Sequence, residues 1–138
     1  MTEHAERRRD PWFSLPVAVA ILLDAGVSLA CQPASFWKDP AALQEGNPAW
    51  GALLAKGPAA FLAGFLVYCV IIVALLIWLR GVPQKLLGMF VLLAHSYGAA
   101  SWCHVSLPAH VYWWALMAIF LSEAAAFAVY WQLRSKRT

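Results

Sequence analysis

The chain has 138 residues, of which 62% are hydrophobic and only 12% charged, with a formal net charge of +3. A soluble domain carries roughly 25% charged residues, so this composition excludes an ordinary water-facing globule and points to a lipid-embedded chain. The basic excess sits at the ends of apolar runs, where it sets topology, and this argues against a nucleic-acid partner.

Residues 1–10 form a short polar head with Arg7, Arg8 and Arg9, followed by Pro11 and the interfacial aromatics Trp12 and Phe13. The first span is expected over about 12–30. It carries Asp24 in an otherwise apolar run, with Ser28 one turn further along the same face. No convincing small-residue cleavage site leads into a soluble domain, so the run reads as a retained helix rather than a removed signal peptide.

The segment 31–57 is the one long loop, with Lys38, Asp39, Glu45 and Asn47 between Trp37 and Trp50. Loops of this kind carry function disproportionately; a plain surface loop held at the interface by its two tryptophans is the alternative. A second span is expected over about 58–79, and Arg80 and Lys85 bracket a turn containing Gly81 and Pro83. No formal charge interrupts residues 86–122, and Ser106-Leu107-Pro108 divides the stretch into spans at about 86–106 and 109–131. Each is long enough to cross, since a span needs about 20 mostly apolar residues. Lipid requires the backbone of each span to satisfy itself, as a helix does. The fold class is therefore all-α, a polytopic membrane four-helix bundle in a single domain.

Of the ten Lys and Arg residues, all but Lys38 and Lys56 fall on one side of such a bundle. The positive-inside rule then puts both termini in the cytoplasm and the 31–57 loop outside. Trp113 and Trp114 at one end of the fourth span, with Tyr130 and Trp131 at the other, fit interfacial anchors.

A helical rise of 1.5 Å per residue estimates depth. Asp24 lies about 18 Å from the cytoplasmic end of its helix, Cys69 about 15 Å, His95 about 14 Å and Glu123 about 12 Å. Each helix thus offers a polar or reactive group near one level, and Tyr68 and Ser96 are placed to join them. Ionisable residues at such depth are costly unless they face a partner or cavity. We expect His95 and Glu123 to face one another, with Asp24 close by; Asp24, Tyr68, His95 and Glu123 are the candidate ligand-binding residues. Packing alone, with His95 bonded to Glu123 and Asp24 satisfied by Ser28 or water, is the alternative. No His-x-x-x-His or Glu-x-x-His pair supports a metal site, His95 alone is weak evidence for haem, and the sequence leaves any cofactor unknown.

A second constellation lies at the extracytoplasmic face. His104 and His110 flank the turn between the last two spans, and Glu45 and Asn47 are expected to hang over them. Cys31 and Cys103 end their helices on the same side, where a disulfide is chemically permitted. Small residues in the last three spans, among them Gly64, Gly98 and Ala118, allow close helix approach. They suit a tight monomer, a homo-oligomer or a face docked on a membrane-protein partner.

Two resemblances follow from these residues. Leu23-Asp24, Glu45-x-Asn47-Pro48 and Leu53-Leu54-x-x-Gly57-Pro58-x-x-Phe61 resemble a family of small uncharacterised bacterial membrane proteins with an intramembrane aspartate and an E-x-N-P loop. That resemblance covers the first half of the chain and implies residence in a bacterial cytoplasmic membrane. The four spans, Trp37-Lys38-Asp39-Pro40, Pro48-Ala49-Trp50 and His95 are also similar to the sterol isomerase and sigma-2 receptor group. This second resemblance implies ligand binding inside the bundle, with an isomerase-like enzyme as its extension. Lacking a motif of chemical specificity, the sequence reads first as an accessory subunit or interaction module of a larger membrane complex. A protein binding lipid or another small molecule in a mid-membrane polar pocket is the alternative.

Overall fold

The computed structural model describes residues 10–136, and Arg7, Arg8, Arg9 and Arg137 of the charge argument lie outside them. The described residues are helical throughout their regular structure. A 3₁₀ turn at Pro11–Phe13 leads into α1 (Ser14–Ala30); a second at Pro40–Ala42 precedes the short α2 (Pro48–Leu54). Then come α3 (Pro58–Trp78), α4 (Gly81–Ser106) and α5 (Ala109–Ser135). Four helices are long and apolar enough to cross a membrane: α1 with its leading turn, α3, α4 and α5.

Two boundaries differ from the sequence reading. The fourth helix of the chain starts at Gly81 rather than near 86, taking in Pro83 and Lys85. Proline is tolerated in a first helical turn because the N–H it lacks has no partner there. The last helix continues to Ser135. At 1.5 Å per residue α4 and α5 are each about 40 Å long, more than the roughly 30 Å hydrocarbon layer, so their charged ends project beyond it. The long loop is also not wholly irregular, since α2 lies inside it. Asn47 caps α2 by accepting from the Ala49 N–H at 3.0 Å, with Pro48 at the first position. Gly57, at φ 105°, makes the left-handed turn from α2 into α3, which also begins on a proline.

The central helix is α1, which packs against α3, α4 and α5, with α4 as its main neighbour. Its buried residues Val17, Ala20, Ile21, Asp24, Ala25, Ser28 and Leu29 recur at three- and four-residue spacing. The matching stripe of α3 is Phe61, Phe65, Cys69, Ile72 and Leu76; that of α4 includes Val91, Leu92, His95, Ala99 and Cys103. Outward faces are apolar as well, with Leu66, Val70, Phe90 and Leu121 all exposed, as lipid contact requires.

At the end of the helices that carries the chain termini, buried Gln84 donates to the carbonyl oxygens of Asp10 and Leu76, both at 2.8 Å. The Leu76 carbonyl belongs to the last turn of α3, where helical partners run out. Tyr130 donates its hydroxyl proton to Asp10 at 2.8 Å, and Arg134 donates to the Tyr130 oxygen at 3.1 Å. These bonds tie the start of α1 to the end of α5.

Candidate functional site

Three helices contribute one polar side chain each to a buried chain of hydrogen bonds. Asp24 on α1 lies 2.7 Å from Nδ1 of His95 on α4, and Nε2 of His95 lies 3.2 Å from the Tyr68 hydroxyl on α3. Asp24 and His95 are each 8% exposed, and Tyr68 is half-buried. A carboxylate can only accept, so it selects the tautomer with the proton on Nδ1. Nε2 of a neutral imidazole then accepts the Tyr68 hydroxyl proton. Ser28, one turn along α1, donates to the other Asp24 oxygen at 3.5 Å. Held by Asp24 from behind, the imidazole orients the Tyr68 hydroxyl, whose oxygen can still accept from a polar head that donates, and the three groups in line have the parts needed to move a proton.

These residues form the floor of an open cavity of about 730 Å³. Phe65, Ala94 and Gly98 flank the floor, Ser101, Trp102 and Val105 of α4 continue the wall, and loop residues 44–50 roof it. The roof is anchored twice. Gln32 donates through Nε2 to the Gln44 carbonyl at 2.8 Å while its Oε1 accepts from the Gln44 N–H at 2.9 Å, an amide pairing that seats the loop on the end of α1. Trp50 of α2 stacks on Phe65 of α3 at 4.0 Å between centroids, and Tyr68 meets its edge at 5.6 Å. Glu45 accepts from the Asn47 N–H at 2.8 Å, which fixes the turn leading into α2.

Asp24 and His95 meet as expected, and Tyr68 joins them. The expected facing of His95 and Glu123 is not found. Both ring nitrogens of His95 are taken by Asp24 and Tyr68, while Glu123 accepts from Ser96 at 2.6 Å. The reason is angular. Successive residues of an α-helix point about 100° apart, so His95 faces α1 and α3 while Ser96 faces α5. Ser96 also lies 2.8 Å from the Leu92 carbonyl oxygen of its own helix. Glu123 is 9% exposed but is not among the residues lining the cavity.

The second constellation divides. Glu45 and Asn47 line the cavity over Asp24 and His95, whereas His104 and His110 are exposed and do not. The His104 ring packs edge-on against Tyr112 at 5.3 Å, and among the described residues no hydrogen bond joins either histidine to the loop. Cys31 and Cys103 are free thiols on the same side of the molecule, Cys31 just past the end of α1 and Cys103 in the last turn of α4, beside the cleft that Cys31 shares with Val105, Ser106 and Leu107. Cys69, one residue from Tyr68, points instead into the apolar core. Among the described residues no three His, Cys, Asp or Glu side chains converge to hold a metal ion.

Four residues that shape the site lie outside the sequence-based set. Gln32 and Gln44 pair across irregular chain, which carries no periodic signal. Trp50, expected as an interfacial anchor, is a cavity wall. Gly98 was one small residue among many, yet it lies against Asp24: a Cβ there would stand 2.8 Å and 2.9 Å from the two carboxylate oxygens. No protein family, curated protein or solved structure matches this chain.

Proposed function

We propose that this protein is a membrane-embedded binding protein for a small amphiphile, with the polar head on the Asp24–His95–Tyr68 chain and the apolar part against Trp50, Phe65 and Trp102. The observation that carries this reading is the cavity of about 730 Å³ with that buried chain as its floor. Ligand sites have this size and this mix of apolar walls with few placed polar groups. Among the described residues the cavity is lined by the carboxylates of Asp24 and Glu45 and by no Lys or Arg. A head that donates hydrogen bonds, a hydroxyl or an amine, therefore suits it, and an anionic head does not.

The distribution of Lys and Arg supports a four-helix bundle with both termini cytoplasmic and the cavity opening on the extracytoplasmic side; the placement in a bacterial cytoplasmic membrane rests on the resemblance of the first half of the chain. A second reading, an accessory subunit of a larger membrane complex, is favoured by α5. It is the least buried of the four spans, and Trp113, Trp114, Phe120 and Trp131 project from it.

Native mass spectrometry of the gently extracted protein tests both readings. The binding reading expects a small-molecule adduct that His95→Gln and Trp50→Ala each remove while helicity is retained. An adduct that survives both variants, or an adduct-free wild type, overturns it. A protein partner or a second copy retained in the same spectrum supports the subunit reading.

A further inference from the structure

We infer that Cys31 and Cys103 form a dithiol that a disulfide-bearing oxidant converts to an intramolecular disulfide, and that this bond fixes the loop roofing the cavity. Cys31 directly follows α1, and its N–H donates to the Val27 carbonyl at 2.9 Å. Val27 packs on the small cluster of Ala99, Cys103 and Ile119, so the end of α1 and the last turns of α4 are already in contact at the level of the two thiols. Cys31 also lines a cleft with Val105, Ser106 and Leu107, the residues that follow Cys103, so the two free thiols sit on apposed helix ends, as a bridge without large backbone movement requires.

The pair is asymmetric in access. Cys31 is half-buried and lines a cleft of about 310 Å³ shared with Gln32, Gln44, Ser106 and Leu107, while Cys103 is 2% exposed and does not reach the cleft. The order of events follows. The Cys31 thiolate, having lost its proton to solvent, attacks one sulfur of the oxidant's disulfide and expels the other sulfur as a thiolate. The Cys103 thiolate, its proton likewise released, then attacks the Cys31 sulfur of the mixed disulfide and expels the second. Two protein thiols become one disulfide, and one oxidant disulfide becomes two thiols.

The loop is coupled to this bond by one residue of chain. Gln32, next to Cys31, makes the paired amide bonds to Gln44, and Gln44 lines both the cleft and the main cavity. In the dithiol form the Gln32 end of the loop is held by hydrogen bonds. In the disulfide form it is covalently tied to α4, the helix that supplies Trp102 and Val105 to the cavity wall. The consequence for ligand entry rests on the binding reading above; the two measurements that follow do not, so failure of either reading is seen separately.

The test uses the full chain in lipid nanodiscs, in a Cys69→Ser background, treated with oxidised glutathione. Thiols are counted after denaturation by a mass-tagging maleimide, and amide hydrogen exchange is followed over residues 32–47. Oxidation is expected to remove both tags on a monomer and to slow exchange in the loop by at least about threefold, both reversed by dithiothreitol. A stable glutathione adduct on Cys31, a disulfide-linked dimer, or loop exchange unchanged after both tags are lost would each overturn the inference. The Cys31→Ser/Cys103→Ser variant separates the bond from side effects of the oxidant: its loop exchange is expected to ignore glutathione, and a slowing there also overturns it.

Discussion

Gly98 and Asp24 touch across the α1–α4 interface so closely that the hydrogen of the glycine is all that fits beneath the carboxylate. A Cβ at position 98 would lie 2.8 Å from Oδ1 of Asp24, inside any real contact, on the same carboxylate that holds His95 at 2.7 Å. The helix face that brings His95 to Asp24 is also the face that must lack a side chain one turn later.

Gly98→Ala is therefore expected to push Asp24 off His95 although alanine is the better helix former by about 1 kcal/mol. Nitrogen-15 NMR of the His95 ring should show loss of the fixed Nδ1–H tautomer, and thermal stability should fall. Gly26→Ala on α1 is the control, because a Cβ there meets nothing within 4 Å. It should leave the tautomer intact and hold or raise stability.

Ser96 and Glu123 form a separate buried bond between α4 and α5, and its removal should read differently. Ser96→Ala takes from the carboxylate its one side-chain partner among the described residues, at a cost of about 1–3 kcal/mol. Glu123→Gln retains hydrogen-bonding capacity and should be close to neutral. Neither change should alter the small-molecule content measured by native mass spectrometry, because Glu123 lies off the cavity. Loss of the adduct in Glu123→Gln would contradict that placement.

Burial pushes the Cys31 thiol above the ordinary thiol range, against smaller opposing effects of its hydrogen bonds to Ser106 and Cys103. The thiolate is the reactive form, and a raised pKa means less of it at neutral pH. Alkylation of Cys31 should be slow at pH 7 and climb tenfold per pH unit. It should still be climbing at pH 9, where an unperturbed thiol, with a pKa near 8.5, is already levelling off. Site-resolved mass spectrometry of maleimide-treated protein gives the profile, and a plateau below pH 9 would be the contrary result.

Single cysteines placed at Glu45 and Val82 should label from opposite sides of intact vesicles. The first lies in the loop roof and the second in the opening turn of α4. Labelling of both by an impermeant maleimide added outside would exclude the four-span topology.

Depth was readable from the sequence and direction was not. Counting residues from the span ends put Asp24, His95 and Tyr68 near one level, and they do meet. The same count placed Glu123 there too, but it has no way to distinguish His95 from Ser96, whose side chains leave α4 in different directions. Knowing which face of α4 meets α1 requires knowing that α1 is central, and an apolar stripe looks much the same whether it faces lipid or another helix. The span ends were legible where charge marks them. The start of α4 was not, because Pro83 and Lys85 resemble a turn yet are compatible with a first helical turn that projects past the hydrocarbon. Gln32 and Gln44 offered no pattern, since a pairing between irregular segments is set by where the loop lands.

The central position of α1 also has a meaning in time. Asp24 and His95 are separated by 71 residues, which at ordinary elongation rates of 5–20 residues per second is an interval of roughly 4–14 s. By the later part of that interval the aspartate has left the ribosome while its histidine is still to be made. A bare carboxylate resists entering lipid, so α1 has reason to remain in the channel or at its wet lateral gate until α4 arrives. Release of the first helix is thereby coupled to synthesis of the third span, and a chain truncated before His95 should be handed to membrane quality control rather than to the bilayer.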